Sequence, residues 1–203
     1  MRSPADPEHP RVLLVAEHAS AAFGGEAILP LHYFRRLHAR GVPVWLIVHD
    51  RTRAELEDLC ADARDRLLFV DDGALNQALS EVGHRLPRRL DQMSTGLAIR
   101  LLNQRDVLRK ARALIREHSI EVVHQPIPVS PKEPSLLRDL GAPLVIGPMN
   151  GGMTYPPAFA RLESRTLRWA VEAARLAAHA ANRAAPGKLD AELLLVANAR
   201  TRE

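Results

Sequence analysis

The sequence predicts an α/β fold: a Rossmann-like, doubly wound and mostly parallel sheet in a single domain. Three observations predict it. Short, continuous apolar runs recur along the chain, which is the pattern of strands buried on both faces. Segments with apolar residues at helical spacing separate these runs. Strands that alternate with helices imply parallel pairing through right-handed crossovers, and about six strands fit the chain.

The strands are predicted at residues 11–16, 43–48, 66–70, 121–123, 143–146 and 192–197. The first helix is predicted from Ala27 to a stop at Gly41, and the second over residues 54–63 with Thr52 as its cap. Residues 74–118 are mainly helical. A short helix is expected between the fourth and fifth strands, and a long helix over residues 158–185.

Composition excludes several classes of protein. The net charge of +4 comes mostly from arginine, and basic clusters interleaved with aromatics are missing, so no nucleic-acid partner is predicted. Cys60 is the only cysteine, which excludes a disulfide within the chain and suits a cytoplasmic location. Residues 1–10 are polar and proline-rich, and are predicted to be a disordered tail rather than a signal peptide; the domain is assigned to residues 11–203.

The candidate site residues follow the predicted strands. Gly24, Gly25 and Glu26 come after the first strand, at the start of a helix whose N–H groups suit a phosphate. His124 follows the fourth strand, and a stiff loop with prolines at 126, 128, 131 and 134 comes next. The fifth strand leads to a glycine turn that contains Asn150, Gly151 and Gly152. Carboxyl ends of parallel strands meet at one edge, so these residues should line a common crevice.

Each of these features also has a purely structural interpretation. The glycine pair could form only a tight turn, His124 could be a satisfied strand-end histidine, and the segment from Asn150 could be a turn with positive φ. Asp50, after the second strand, occupies the place of a ribose-binding acid, although the fingerprint G-x-G-x-x-G is absent. More often such an aspartate caps the next helix. No metal-ligand spacing, nucleophile elbow or P-loop occurs.

Three stretches together resemble the amino-terminal domain of a family 4 glycosyltransferase: VLLVAEHASAAFGGE, HQPIPVSPKEPS and GAPLVIGPMNGG. The resemblance covers the chain from Arg11 onward. It implies the GT-B architecture of two Rossmann-like domains and transfer of a sugar from a nucleotide-sugar donor, with retention of configuration and without a required metal. The acceptor would be a saccharide or a lipid-linked molecule.

The resemblance also implies roles for single residues. Gly24 and Gly25 match the glycine loop beside the donor diphosphate and the acceptor, and His124 matches the histidine that binds the transferred sugar. Asn150, Gly151 and Gly152 match the turn that lines the cleft, whereas Glu26 has no firm role. The donor-binding domain with its E-x7-E glutamates is absent from these 203 residues. The chain alone is therefore expected to have little or no transferase activity.

The arginine-rich helix predicted at residues 158–185 is either an ordinary cover for the sheet or a surface that meets anionic lipid at the inner face of the membrane. Two further alternatives stay open. One is a nucleotide-dependent oxidoreductase or epimerase that uses NAD(P) with Asp50 on the ribose. The other is a non-enzymatic module that binds sugar or membrane.

Overall fold

The structure is a computed structural model, and it describes residues 9–71, 73, 81, 95–151, 180, 182–185 and 187–202. Six parallel strands form one sheet in the order β3-β2-β1-β4-β5-β6. This order is that of the doubly wound dinucleotide-binding folds, in which the crevice opens where the order reverses, beside the first strand. The predicted fold class is confirmed.

The strands are β1 (Val12–Val15), β2 (Val44–His49), β3 (Leu67–Val70), β4 (Val122–Gln125), β5 (Leu144–Met149) and β6 (Leu193–Val196). The helices are α1 (Ile28–Ala39), α2 (Arg53–Leu59), α3 (Thr95–His118) and α4 (Ala199–Arg202). Short 3-10 turns cover Gly25–Ala27, Asp50–Thr52 and Ala61–Arg66.

The core lies in two layers, one on each face of the sheet. One layer joins α1 and α2 to the strands through Phe34 and Leu56, both almost fully buried. The other joins α3 to the strands through Leu114 and Ile115. Neighbouring strand residues divide between the layers, because successive side chains point to opposite faces. The sheet is thus covered on both faces, as all-parallel sheets require.

The second helix differs from its prediction. It ends at Leu59, and Cys60 and Ala63 have non-helical backbone angles, so a separate 3-10 turn follows. The predicted cap by Thr52 is wrong, since its hydroxyl donates to the carbonyl of His49 instead of accepting from the helix.

The region between β4 and β5 also differs. The predicted short helix is absent, because residues 136–140 are irregular. Backbone N–H groups in this segment donate to side chains. The Leu136 N–H donates to the Gln104 side chain, and the Leu137 N–H donates to the Ser135 hydroxyl. These bonds replace the backbone partners that a helix would use.

Two predicted strand ends are wrong as well. β4 continues through His124 and Gln125, and β5 continues through Gly147 and Pro148 to Met149. β5 contains an irregularity in its pairing with β6 between Ile146 and Met149, which lets the strand accommodate a glycine and a proline.

Gly152 and nearly all of the predicted helix at residues 158–185 lie outside the described residues. Within the part of the chain that the structure describes, no helix has the length and apolar character needed to cross a bilayer.

Candidate functional site

The glycine loop after β1 is built for a backbone shape that other residues avoid. Gly24 has φ +65° and Gly25 has φ +56°, and a Cβ at either position would meet no atom within 4 Å. The glycines are therefore required by conformation, while the space above them is open. Gly24 accepts a hydrogen bond from Ala27 at 3.2 Å, and the turn leads directly into α1.

A carboxylate from α2 braces the approach to this loop. The Ser20 hydroxyl donates to Glu55 at 2.6 Å, and the Ala21 and Ala22 amides donate to the other oxygen of Glu55. Burial raises the pKa of Glu55, but the hydrogen bonds from Ser20 and the two amides outweigh it, so the pKa is lowered overall. The ionised carboxylate of Glu55 thus holds the segment from Ser20 to Ala22 in place through these hydrogen bonds.

One residue of the proline loop joins two parts of the predicted site. The Val129 amide donates to the Glu26 carboxylate at 2.8 Å. The Val129 carbonyl accepts from the Asn150 amide at 2.8 Å. The segments that follow β1, β4 and β5 therefore meet at Val129, and Glu26 and Asn150 lie on either side of it. Sequence reasoning did not single out Val129, because its contribution comes only from its backbone.

His124 lies deeper than the sequence predicts. It is 8% exposed within β4, and its ring packs edge-on against Tyr33 of α1, with centroids 4.8 Å apart. Its Nε2 is 2.7 Å from the carbonyl oxygen of Gly147, so Nε2 carries the proton and donates. Burial lowers the pKa of His124, and the bond to Gly147 raises it by less. In the neutral ring Nδ1 is then an acceptor.

The acceptor of that bond, Gly147, is fixed by its surroundings. Its φ is +119°, and a Cβ would lie 2.3 Å from the carbonyl oxygen of Leu195 and 2.9 Å from the amide nitrogen of Met149. Both contacts are to backbone atoms, so no rotamer change can relieve them. Gly147 thus allows β5 to approach β6 while it presents its carbonyl to His124.

The turn after β5 is held by the last described segment. The side-chain amide of Asn198 donates to Oδ1 of Asn150 at 2.9 Å. The Thr201 hydroxyl accepts from the Gly151 N–H and lies within hydrogen-bond distance of the Gly151 carbonyl. A Cβ on Gly151 would lie 2.5 Å from Cγ of Pro131, so the proline loop packs directly on this glycine.

Lys188 is a second residue that sequence reasoning missed. Its ammonium group donates to the carbonyls of Ser130 and Pro131, at 3.1 and 2.9 Å. Burial lowers the pKa of Lys188 to about 8, although Glu133 opposes this. A lone lysine after Pro186-Gly187 carries no sequence signal for such a contact, since its partners are backbone carbonyls over 50 residues away.

The residue after β2 that the sequence suggested for ribose binding is already engaged in an ion pair. Asp50 accepts from the guanidinium of Arg53 at 2.5 Å, so the acid considered for ribose binding already has a cationic partner, the first residue of α2. Among the described residues, no three His, Cys, Asp or Glu side chains are placed to hold a metal ion.

The structure thus brings Gly24, Gly25, Glu26, Asn150 and Gly151 to one edge, with His124 in the strand beside them. No protein-family model, curated protein or solved structure matched this chain. The resemblance to family 4 glycosyltransferases rests on the sequence motifs alone.

Proposed function

We propose that this chain is the acceptor-side domain of a retaining glycosyltransferase, which works with a nucleotide-sugar donor and a saccharide or lipid-linked acceptor. The observation that carries the proposal is the junction at Val129. It joins the glycine loop, through Glu26, to the turn at Asn150, through two hydrogen bonds of 2.8 Å. Three strand-end segments then form one wall at the edge where doubly wound sheets bind ligands.

In this proposal the Gly24–Gly25 backbone contacts a diphosphate or an acceptor group, because no side chain blocks the approach. Asn150 and Gly151 line the crevice next to it, and the sequence resemblance gives Gly152 the same role. His124 receives a hydroxyl hydrogen of the transferred sugar on Nδ1, since its Nε2–H is used by Gly147. Glu26 holds the loops together instead of contacting the sugar.

The test uses the complete natural polypeptide that contains these residues, assayed for sugar transfer with a panel of nucleoside diphosphate sugars. Gly25→Val should reduce kcat/KM at least a hundredfold, because the valine side chain would fill the approach to the loop. Gly41→Val is the matched control. Gly41 also has a positive φ, of +75°, and open space at its Cβ, but it ends α1 and lies away from the candidate site.

Loss of activity in Gly25→Val with retention in Gly41→Val supports the proposal. The proposal is wrong if no sugar is transferred from any donor, or if both variants behave alike. Calorimetric binding of NAD that is lost in Asp50→Ala would favour the oxidoreductase alternative instead.

A further inference from the structure

The proline loop after β4 is poor in backbone donors. The prolines at 126, 128, 131 and 134 have no N–H group, so each of them offers the loop only a carbonyl acceptor. Within the loop, the Glu133 N–H donates to the Ser130 carbonyl and the Lys132 N–H donates to the Ser130 hydroxyl, both at 3.3 Å. Carbonyls that are partly buried need donors in place of water. Further donors for this turn come from a distant part of the chain.

Those donors belong to the segment that precedes β6. The Lys188 ammonium donates to the carbonyls of Ser130 and Pro131. The Asn182 side-chain amide donates to the carbonyl of Lys132 at 3.0 Å. An ammonium group has three donors and no acceptor, so one lysine can serve two carbonyls at once. Because its hydrogen bonds are charge-assisted, Lys188 is a strong point of attachment for this turn.

Gly187 brings Lys188 to this position. The Gly187 N–H donates to the carbonyl of Ser135 at 3.0 Å. A Cβ on Gly187 would lie 2.5 Å from the carbonyl oxygens of both Ser135 and Leu137, so the backbone before β6 runs in direct contact with the segment that follows the proline loop. Since these contacts are to backbone atoms, the start of the Lys188 side chain is fixed as well.

The turn that this ammonium group holds adjoins the Val129 junction. Ser130 directly follows Val129, whose carbonyl accepts from the Asn150 amide at 2.8 Å. Pro131 packs on Gly151, the residue after Asn150. A cation that fixes the two carbonyls of the turn therefore also limits where the junction can lie.

We propose that Lys188 is a positioning residue for the candidate site: its ammonium group fixes the adjoining turn and so keeps Val129 in place between Glu26 and Asn150. Lys188 acts through the loop and touches no substrate in this role. The effect on the backbone does not depend on the proposed function, and only its consequence for sugar transfer rests on that function.

Hydrogen exchange of single backbone amides, followed by NMR, tests the positioning directly. Lys188→Met keeps the length of the side chain but removes every donor. We expect the protection of the Asn150 amide to fall by about tenfold or more, as the loss of hydrogen bonds from a charged group implies. The Val123 amide, which donates to the Pro143 carbonyl inside the sheet at 2.9 Å, should keep its protection. Lys188→Arg keeps a cation with several donors and should retain most of the protection of Asn150.

Lys110→Met is the matched control. The Lys110 ammonium also donates to a backbone carbonyl, that of Phe69 in β3, and β3 lies at the opposite side of the sheet from β6. Its loss should leave the Asn150 amide unchanged. The proposal is overturned if Asn150 keeps its protection in Lys188→Met, or if Lys188→Arg or Lys110→Met lowers that protection as much. It is also overturned if Val123 loses as much protection as Asn150, because Lys188 would then only stabilise the fold as a whole.

Sugar transfer by the complete natural polypeptide separates this proposal from the proposed function. If both are right, Lys188→Met should lower kcat/KM by about tenfold, and Lys188→Arg should restore most of it. The expected exchange results without transfer from any donor would remove the proposed function and leave the positioning role. Transfer with unchanged kcat/KM and unchanged exchange in Lys188→Met would remove the positioning role and leave the proposed function.

Discussion

Replacing Gly147 by alanine should destabilise the protein far more than a typical glycine substitution. The residue combines φ of +119° with a Cβ position 2.3 Å from the carbonyl oxygen of Leu195. Contacts below 3 Å force atoms to move, and here both nearest atoms belong to backbone. The variant can therefore relax only by a shift of β5 against β6 or by a change of φ that removes the carbonyl from His124.

The magnitude has two parts. Holding a non-glycine residue at an unfavourable positive φ costs about 1–3 kcal/mol. Overpacking against atoms that cannot rotate away costs about 1–3 kcal/mol more. The free energy of unfolding should therefore fall by about 4 kcal/mol, a large fraction of the roughly 5–15 kcal/mol that holds most domains folded.

Urea unfolding followed by circular dichroism measures the effect. Gly41→Ala is the control, because Gly41 has φ +75° but nothing within 4 Å of its Cβ, so it reports the conformational part alone. We expect Gly147→Ala to exceed the control by about 2 kcal/mol. Equal losses in the two variants would show that the close approach to Leu195 is not rigid and would refute the reasoning.

Three further predictions follow from contacts near the site. Glu55→Gln should lower the free energy of unfolding, measured by urea titration, by about 1 kcal/mol at pH 7. The pKa of Glu55 in the folded protein lies below the usual 4.5, so the difference from wild type should persist above pH 4.5 and shrink as the pH falls below 4.5. Lys188 has a pKa of about 8 in the folded protein and 10.5 in the unfolded chain, so the folded protein binds fewer protons between these pH values. The free energy of unfolding of the wild type should therefore rise with pH across this window relative to that of Lys188→Met. A difference that stays constant with pH would contradict the lowered pKa of Lys188. Gly151→Ala should cost about 1–3 kcal/mol by pushing on the Pro131 ring, measured by thermal unfolding, and Pro131→Ala in the same chain should recover part of that loss.

The fold could be predicted because its signals are local. Continuous apolar runs mark the strands, and α1 carries an apolar periodicity and is followed by a stop at Gly41. The errors arise where a distant residue supplies a backbone partner. Gln104 of α3 accepts a hydrogen bond from the amide of Leu136, and no rule based on neighbouring residues could have replaced the expected helix with an irregular segment.

The grouping of the candidate residues at one sheet edge could be predicted from the sequence, but their individual contacts could not. Strand order alone brings the glycine loop and the turn at Asn150 to one edge. Sequence rules assign polar residues at the end of an apolar run to the following loop. β4 instead continues through His124, so the His124 ring is buried rather than exposed in a loop. Gly147 and Pro148 led to a predicted end of β5 at Ile146 that is too early. An irregularity in the pairing of β5 with β6 lets the strand contain residues that normally end a strand.

The double hydrogen bond at Val129 restricts how this region can vary. Its amide and carbonyl are separated by a fixed covalent distance, so the spacing between Glu26 and Asn150 is set by a single residue. Surface loops usually tolerate insertions, but one added residue beside Val129 would break at least one of the two bonds. In homologous chains or engineered variants, length changes in this loop should therefore be confined to positions after Pro131, and proline should be excluded at position 129 because it lacks the N–H that bonds to Glu26.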